Sequence, residues 1–162
     1  MLKQRLIKIL LLLMCFPGIH SPAYAQLQLV IEAQSQDNEY TNENDLYLLA
    51  KLITIEAKGE PFEGQVAVGA VVLNRVQSSK FPDSIRKVLY QPGQFSTIRQ
   101  LNRTIPKDSS IRAAKKAFHG NDPSHGALYF YNPVTCSPKA RRYIKSSNFR
   151  VTARIGRHVF YK

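Results

Sequence analysis

The chain has 162 residues, enough for one ordinary domain, and 44% of them are hydrophobic, enough for a core. With 21% charged residues it does not have the composition of a disordered chain. Its 23 basic and 11 acidic residues give a net charge of +12, which favours a polyanionic partner: nucleic acid, anionic membrane or anionic cell wall.

Lys3, Arg5 and Lys8 open the chain, an apolar run follows from Ile9 to Phe16, and Ala23-Tyr24-Ala25 has the small-x-small pattern of a signal-peptidase site. This is the plan of a Sec-type secretory signal peptide over residues 1–25. The apolar run is short of the roughly 20 residues a spanning helix needs. An uncleaved anchor is the alternative. A lipoprotein reading through Cys15 is weaker, because Met14 stands where a small residue belongs. Cleavage after Ala25 removes three cations and no acid, leaving +9, and leaves Cys136 as the one cysteine, so no internal disulfide is expected. Export to the envelope, periplasm or spore argues against nucleic acid and leaves anionic wall polymers or a phospholipid surface as partners.

Residues 26–43 are rich in Gln, Asn and Glu and read as a linker or N-terminal arm. The ordered domain is expected over 44–162. Asn42 or Asn44 is expected to cap a helix with Asp45 in its first turn. Leu46, Leu49, Ala50, Ile53 and Ala57 recur at helical spacing, and Gly59 and Pro61 end the helix. The stretch from Glu63 to Gln77 is apolar on nearly every side; its length favours a helix over a strand. A short helix is expected over Pro82–Tyr90, with Ile85, Val88 and Leu89 inward, and another from a cap at Asp108 through Phe118, closed by Gly120. Ala127–Asn132, Arg150–Ile155 and His158–Tyr161 read as strands. Helices first and strands later give an α+β fold with a small C-terminal sheet.

Glu56 is the focal residue. It follows Ile53 by three positions, Leu52 by four and Leu49 by seven, so its carboxylate lies beside the apolar stripe in the last turn of a helix. Loss of hydration and the negative end of the helix dipole both favour a protonated carboxyl, as a general acid requires. A solvated glutamate at the edge of the stripe fits the periodicity as well. Glu60 lies one turn further on. A retaining glycosidase places a second carboxylate about 5 Å from the first, but the loop geometry around Gly59 and Pro61 suits an orienting role for Glu60 better. Gln94, Phe95 and Ser96 follow a Pro-Gly break and offer an amide, a ring and a hydroxyl for substrate contact, with turn chemistry and a packed Phe as the alternative. In a strand, Tyr129 and Tyr131 share a face opposite Phe130, with Asn132 next. The two tyrosines are expected to line a cleft, each offering a ring face and a hydroxyl, with an ordinary amphipathic strand as the alternative.

The stretch LLAKLITIEAKGEPFEGQVAVGAVVLNRV, followed in order by FPDSIRKVLYQPGQFS, GNDPSHGALYFYNP and IGRHVFY, closely resembles the SleB/CwlJ-type cell-wall hydrolases over about residues 45–161. The resemblance implies a mainly helical, lysozyme-like or lytic-transglycosylase-like domain that cuts peptidoglycan glycan strands between N-acetylmuramic acid and N-acetylglucosamine. It implies that the first glutamate of EAxGE, Glu56, is the catalytic acid. Glu56 would then protonate the glycosidic oxygen and act as base on the muramic C6 hydroxyl, giving a 1,6-anhydro product without a second carboxylate, metal or cofactor. Glu60 and His158 are expected to be structural or supporting. One departure stands out: relatives often carry a tryptophan soon after the YNP motif, and this chain has Ala140-Arg141-Arg142 there and no tryptophan at all.

Three rival readings remain on the residues alone. A zinc amidase would need His119, His125 and His158 around a metal, yet none is paired at ligand spacing. A cysteine peptidase would use Cys136 with His158. A non-catalytic wall-binding module would explain the charge and leave Glu56 idle.

Overall fold

The computed structural model describes residues 22–95 and 98–162. The chain falls into two units, Met1–Tyr40 and Thr41–Lys162. In the first, the described residues 22–40 are helical, and Leu27, Leu29, Val30 and Ile31 are exposed. The proposed leader lies outside the described residues except for residues 22–25, which are helical. Among the described residues no helix is long and apolar enough to cross a membrane.

Helix α1 spans Pro22–Glu56, so the expected start at Asn42 or Asn44 is not observed. No glycine or proline stands between Pro22 and Gly59 to break the helix, and Asn costs only tenths of a kcal/mol in a helix interior. Pro22 in the first turn suits a helix start. Asp45 is therefore mid-helix rather than in a first turn; burial pushes its carboxyl up, partly offset by Arg86.

Helix α2 (Phe62–Gln77) is the centre of the second unit. Val66, Ala67, Val68, Ala70, Val71 and Val72 are all buried, which explains why the sequence is apolar on every side. Leu49, Leu52 and Ile53 of α1 pack into the same core, as do Ile85, Val88 and Leu89 of α3 (Ile85–Tyr90). Fully burying each such side chain is worth about 1.5–3 kcal/mol. A one-turn helix α4 (Ile98–Leu101), not anticipated from the sequence, adds Leu101. Helix α5 (Asp108–Phe118) contributes Ala113, Ala114 and Ala117. Its cap position is Lys107 rather than Asp108, and the Thr54 hydroxyl accepts a hydrogen bond from the Lys107 amide at 3.1 Å.

The fold is α+β. Strands β1 (Tyr129–Tyr131), β2 (Val151–Ile155) and β3 (His158–Tyr161) form an antiparallel sheet in the order β1-β3-β2. Helix α6 (Pro138–Ser146) lies between β1 and β2 in the chain. All four residues of the central strand β3 are buried, so both faces of the sheet are covered. Tyr129 pairs with Tyr161, Phe130 with Phe160 and Tyr131 with Val159; on the other side Thr152 forms a bulge between the Val151 and Ala153 pairings.

Gly69 marks the closest packing of α2. A Cβ there would stand 3.0 Å from Ile53 Cδ1 and 3.3 Å from Ala117 Cβ, between α1 and α5. A Gly69→Val substitution is expected to lower unfolding free energy by about 1–3 kcal/mol through overpacking. Denaturant unfolding measures this directly, and unchanged stability would show that the three helices can part at this point.

Candidate active site

Glu56 is the last residue of α1 and is half-buried. The Ala57 amide still donates to Ile53 at 2.9 Å, after which the chain turns, with Gly59 at φ 77°. The turn ends on Glu60, whose side chain is buried. Glu60 Oε2 accepts from the Arg157 backbone amide at 2.8 Å, and Oε1 accepts from Arg157 Nε at 2.8 Å. Arg157 Nη2 also donates to the Lys58 carbonyl at 2.9 Å. The turn that follows Glu56 is thus fastened to the β2–β3 turn, nearly a hundred residues away. Gly156 makes room for this. Its φ is 56°, and a Cβ there would collide with Glu60 Oε2 and stand 2.6 Å from Pro61 Cδ. Burial raises the Glu60 carboxyl, but the backbone and side-chain hydrogen bonds from Arg157 outweigh it and hold Glu60 below its usual range.

His158, next to Arg157, is buried with its ring edge-on to Phe130 at 5.2 Å and to Phe160 at 6.2 Å. Burial holds its ring below the ordinary histidine range, opposed by the nearby Glu60 charge. It is a neutral packing group of the face that carries Phe130.

A second buried charge lies at the other end of α2. Arg75 is 4% exposed. Its Nε donates to the Leu128 carbonyl at 2.7 Å, just before β1. The guanidinium stacks against Phe81, Phe95 and Tyr129 at 5.1, 5.3 and 5.7 Å from the ring centroids. Burial pulls its pKa down to about 10, which leaves it charged at neutral pH. Arg75 therefore brings together Phe95 and Tyr129, two residues the sequence placed at a substrate site. Asn74 beside it donates to the Ala127 carbonyl at 3.1 Å and to Asp122 at 3.0 Å. Asp122 also accepts from the amides of Ser124 and Gly126, shaping the loop before β1.

The remaining sequence-selected residues fall as follows. Tyr129, Phe130 and Tyr131 are all half-buried. Phe130 packs on the core, while Tyr131 faces Tyr161 at 5.5 Å on the opposite side of the sheet. Burial and the Tyr131 hydroxyl push Tyr161 up to about 12. The Asn132 side-chain oxygen accepts from the Val134 amide at 2.9 Å, a turn contact. Phe95 is buried, so its ring is packing rather than open surface. Gln94 is half-buried in the turn after α3, and Ser96 lies outside the described residues. Cys136 lies near Tyr161, whereas His158 points to the other face, so the two do not form a dyad. Among the described residues no three of His, Cys, Asp and Glu gather. The sequence reading missed Arg75, Arg157 and Tyr161. Arg75 and Arg157 carry a signal only in hindsight, as single cations inside otherwise apolar or β-like segments.

The Cell Wall Hydrolase family matches residues 59–161. The chain belongs to this family. The spore cortex-lytic enzyme of Halalkalibacterium halodurans is 40% identical over 124 residues, 74% of this chain and 35% of that protein. That of Bacillus subtilis is 37% identical over 145 residues, 87% of this chain and 44% of that protein, a span too long to omit Glu56. The chain thus spans less than half the length of these relatives. Among solved structures, the catalytic domain of the germination-specific lytic transglycosylase SleB from Bacillus anthracis superposes with a TM-score of 0.66 at 37% identity. It covers 74% of this chain and 94% of that domain. The SleB catalytic domain of Bacillus cereus gives 0.65 at 38% identity, covering 74% and 91%. The mainly helical fold with its small sheet is therefore that of a cell wall hydrolase domain, and the Glu60–Arg157 contact and the Arg75 cluster both lie within the family match.

Replacing Glu60 by Gln leaves the Arg157 contacts without their ionised acceptor and is expected to cost about 1–3 kcal/mol at pH 7. Because folding lowers the Glu60 pKa, this contribution is complete above its ordinary value of 4.5 and is lost as pH falls through the lower folded value. His158 also weakens the fold on acidification, since the unfolded chain takes up its proton below 6.5, and more so in the variant, which lacks the Glu60 charge that favours the protonated ring, so the gap widens through this range before Glu60 itself is protonated. Thermal unfolding of wild type and Glu60→Gln from pH 7 down to 3 should show the gap closing below about pH 4.5; a gap that stays constant would rule out an ionised clamp.

Proposed function

We infer that the chain cleaves the glycan strands of peptidoglycan as a lytic transglycosylase, with Glu56 as general acid and then base. The observation that carries this reading is the setting of Glu60, the second glutamate of the EAKGE turn. Both of its oxygens accept hydrogen bonds from Arg157 and its side chain is only 3% exposed, so it is poorly placed to serve as a nucleophile. Glu56, half-buried at the end of α1, is the glutamate to which this reading assigns the proton. With no second carboxylate supplied by the motif, the muramic C6 hydroxyl serves as nucleophile. Effective molarities of about 10⁵–10⁸ M make such an internal attack competitive with water. The likeness to SleB, described as a lytic transglycosylase, supports the same reaction class.

Tyr129 and Tyr131 on one face of β1 are the sugar-contacting candidates of this reading, with Gln94, Ser96 and Asn132 at its margins. Export through the N-terminal leader and action at the cell envelope or spore belong to the same proposal, as do secondary contacts between the basic chain and anionic wall polymers or phospholipid.

A Glu56→Gln variant is expected to keep the wild-type circular dichroism and melting temperature and to lose at least 10²–10⁴-fold in cleavage rate, roughly the range for general acid–base catalysis. Wild-type digestion of purified peptidoglycan in the presence of a chelator should release muropeptides with 1,6-anhydro-muramic ends, seen by mass spectrometry. Reducing ends would point to water as nucleophile. Free stem peptides would point to an amidase, and a folded Glu56→Gln variant with normal activity would remove Glu56 from the chemistry.

A further inference from the structure

A row of aromatic rings leads from the Arg75 cluster to the surface. Phe81 lies 6.0 Å from Tyr129, Tyr129 lies 4.6 Å from Phe149, and Phe149 lies 6.0 Å from Tyr143 of α6. The first three rings are half-buried; Tyr143 is 61% exposed. Its backbone is held by the helix end, where its carbonyl accepts from the hydroxyls of Ser146 and Ser147 at 3.0 and 2.7 Å.

The face of α6 around Tyr143 is cationic. Lys139 precedes it by four residues and thus shares its helical face, and Arg142 lies three beyond Lys139 on the adjoining edge. Both are exposed. Arg141 lies round the helix from them and donates to the Pro133 carbonyl at 2.7 Å. From Pro123 to Lys162 the sequence has eight Lys and Arg and no Asp or Glu. The unit therefore presents an exposed phenol ring beside two cations, continuous through Phe149 with Tyr129.

Resting on the glycan-cleaving reading, we propose that this face of α6 is an additional subsite for a peptide-bearing saccharide. Tyr143 stacks on a pyranose ring of the strand. Lys139 and Arg142 meet the carboxylates of the stem peptide that the neighbouring muramic acid carries. A sugar ring offers an apolar C–H face to an aromatic side chain, and the stem peptide supplies fixed negative charge within reach of the two cations. The cationic part acts at the exposed surface and is screened by salt over about 8 Å at physiological ionic strength; the stacking part is not.

The test measures binding rather than cleavage. Affinity is compared for soluble glycan strands carrying stem peptides and for the same strands with their carboxylates converted to neutral amides, all in a Glu56→Gln background so that the strands stay whole. Tyr143→Ala is expected to weaken both about threefold to tenfold, the range for an aromatic contact. The double variant Lys139→Glu, Arg142→Glu is expected to weaken binding of strands with free carboxylates by about tenfold at low salt, to lose most of that effect in high salt, and to leave the amidated strands within twofold. Unchanged affinity in Tyr143→Ala, or equal losses on both strands in the charge-reversed variant, would overturn the subsite. Should binding depend instead on phosphate polymers, walls freed of them by hydrofluoric acid would cease to bind wild type, which also overturns it. Circular dichroism of each variant separates these results from misfolding. Cleavage of the same strands by protein retaining Glu56 is scored independently, so failure of the catalytic reading is distinguishable from failure of the subsite.

Discussion

The buried carboxylate of Glu60 ties the turn after α1 to a turn 97 positions further along the chain. An ionised carboxyl taken out of water is tolerated only with compensating donors. Here they come from Arg157, through both its backbone and its side chain. Satisfying Glu60 therefore fixes the β2–β3 turn against the end of α1 and the start of α2. That contact in turn requires a residue without a side chain at Gly156, where the Glu60 oxygen and the Pro61 ring occupy the space. Glu56, the last residue of α1, stands four residues before this anchor.

The two ends of α2 have complementary roles. Glu60 stands just before its first turn and Arg75 in its last. An acid at a helix N-terminus and a cation at its C-terminus both suit the helix dipole. Each is also buried, and each reaches the C-terminal sheet: Glu60 the β2–β3 turn, Arg75 the carbonyl before β1. The valine-rich middle of α2 supplies non-directional packing. The two charged ends supply direction, and hence the register in which the sheet's tyrosine face meets the helical part. The Glu60–Arg157 pair is half exposed, with the Arg157 side chain 57% accessible, so solvent screening makes its net contribution smaller than its contacts suggest.

Helices with a strong apolar pattern were legible in the sequence. Leu49, Leu52 and Ile53, the valines of α2, and Ile85, Val88 and Leu89 all lie where periodicity put them. The three strands were legible too, because β-branched and aromatic residues concentrate there between glycines. The start of α1 was not. Asparagine at residues 42 and 44 has the chemistry of a cap, but a cap residue ends a helix only where something breaks it upstream, and nothing does. Long-range polar contacts were the least legible. Glu60 and Arg157 are separated by 97 positions, and periodicity carries no information at that distance. Phe95 shows a related ambiguity. A loop position after Pro-Gly suggested exposure, whereas the ring is drawn under the Arg75 guanidinium and buried.

The contrast between Glu56 and Glu60 shows why two carboxylates one helical turn apart need not form a catalytic pair. A carboxyl held below its ordinary range by a guanidinium and an amide remains ionised at neutral pH and has no proton to give. To act as a nucleophile it would have to reach the substrate from a side chain that is only 3% exposed, which would require the turn to open. The same contacts that make Glu60 a good anchor therefore make it a poor acid and a poor nucleophile. Under the proposed function this leaves one group for the proton and the substrate's own hydroxyl for the attack. A single-carboxylate route is then the one that fits a motif whose second glutamate is engaged with Arg157.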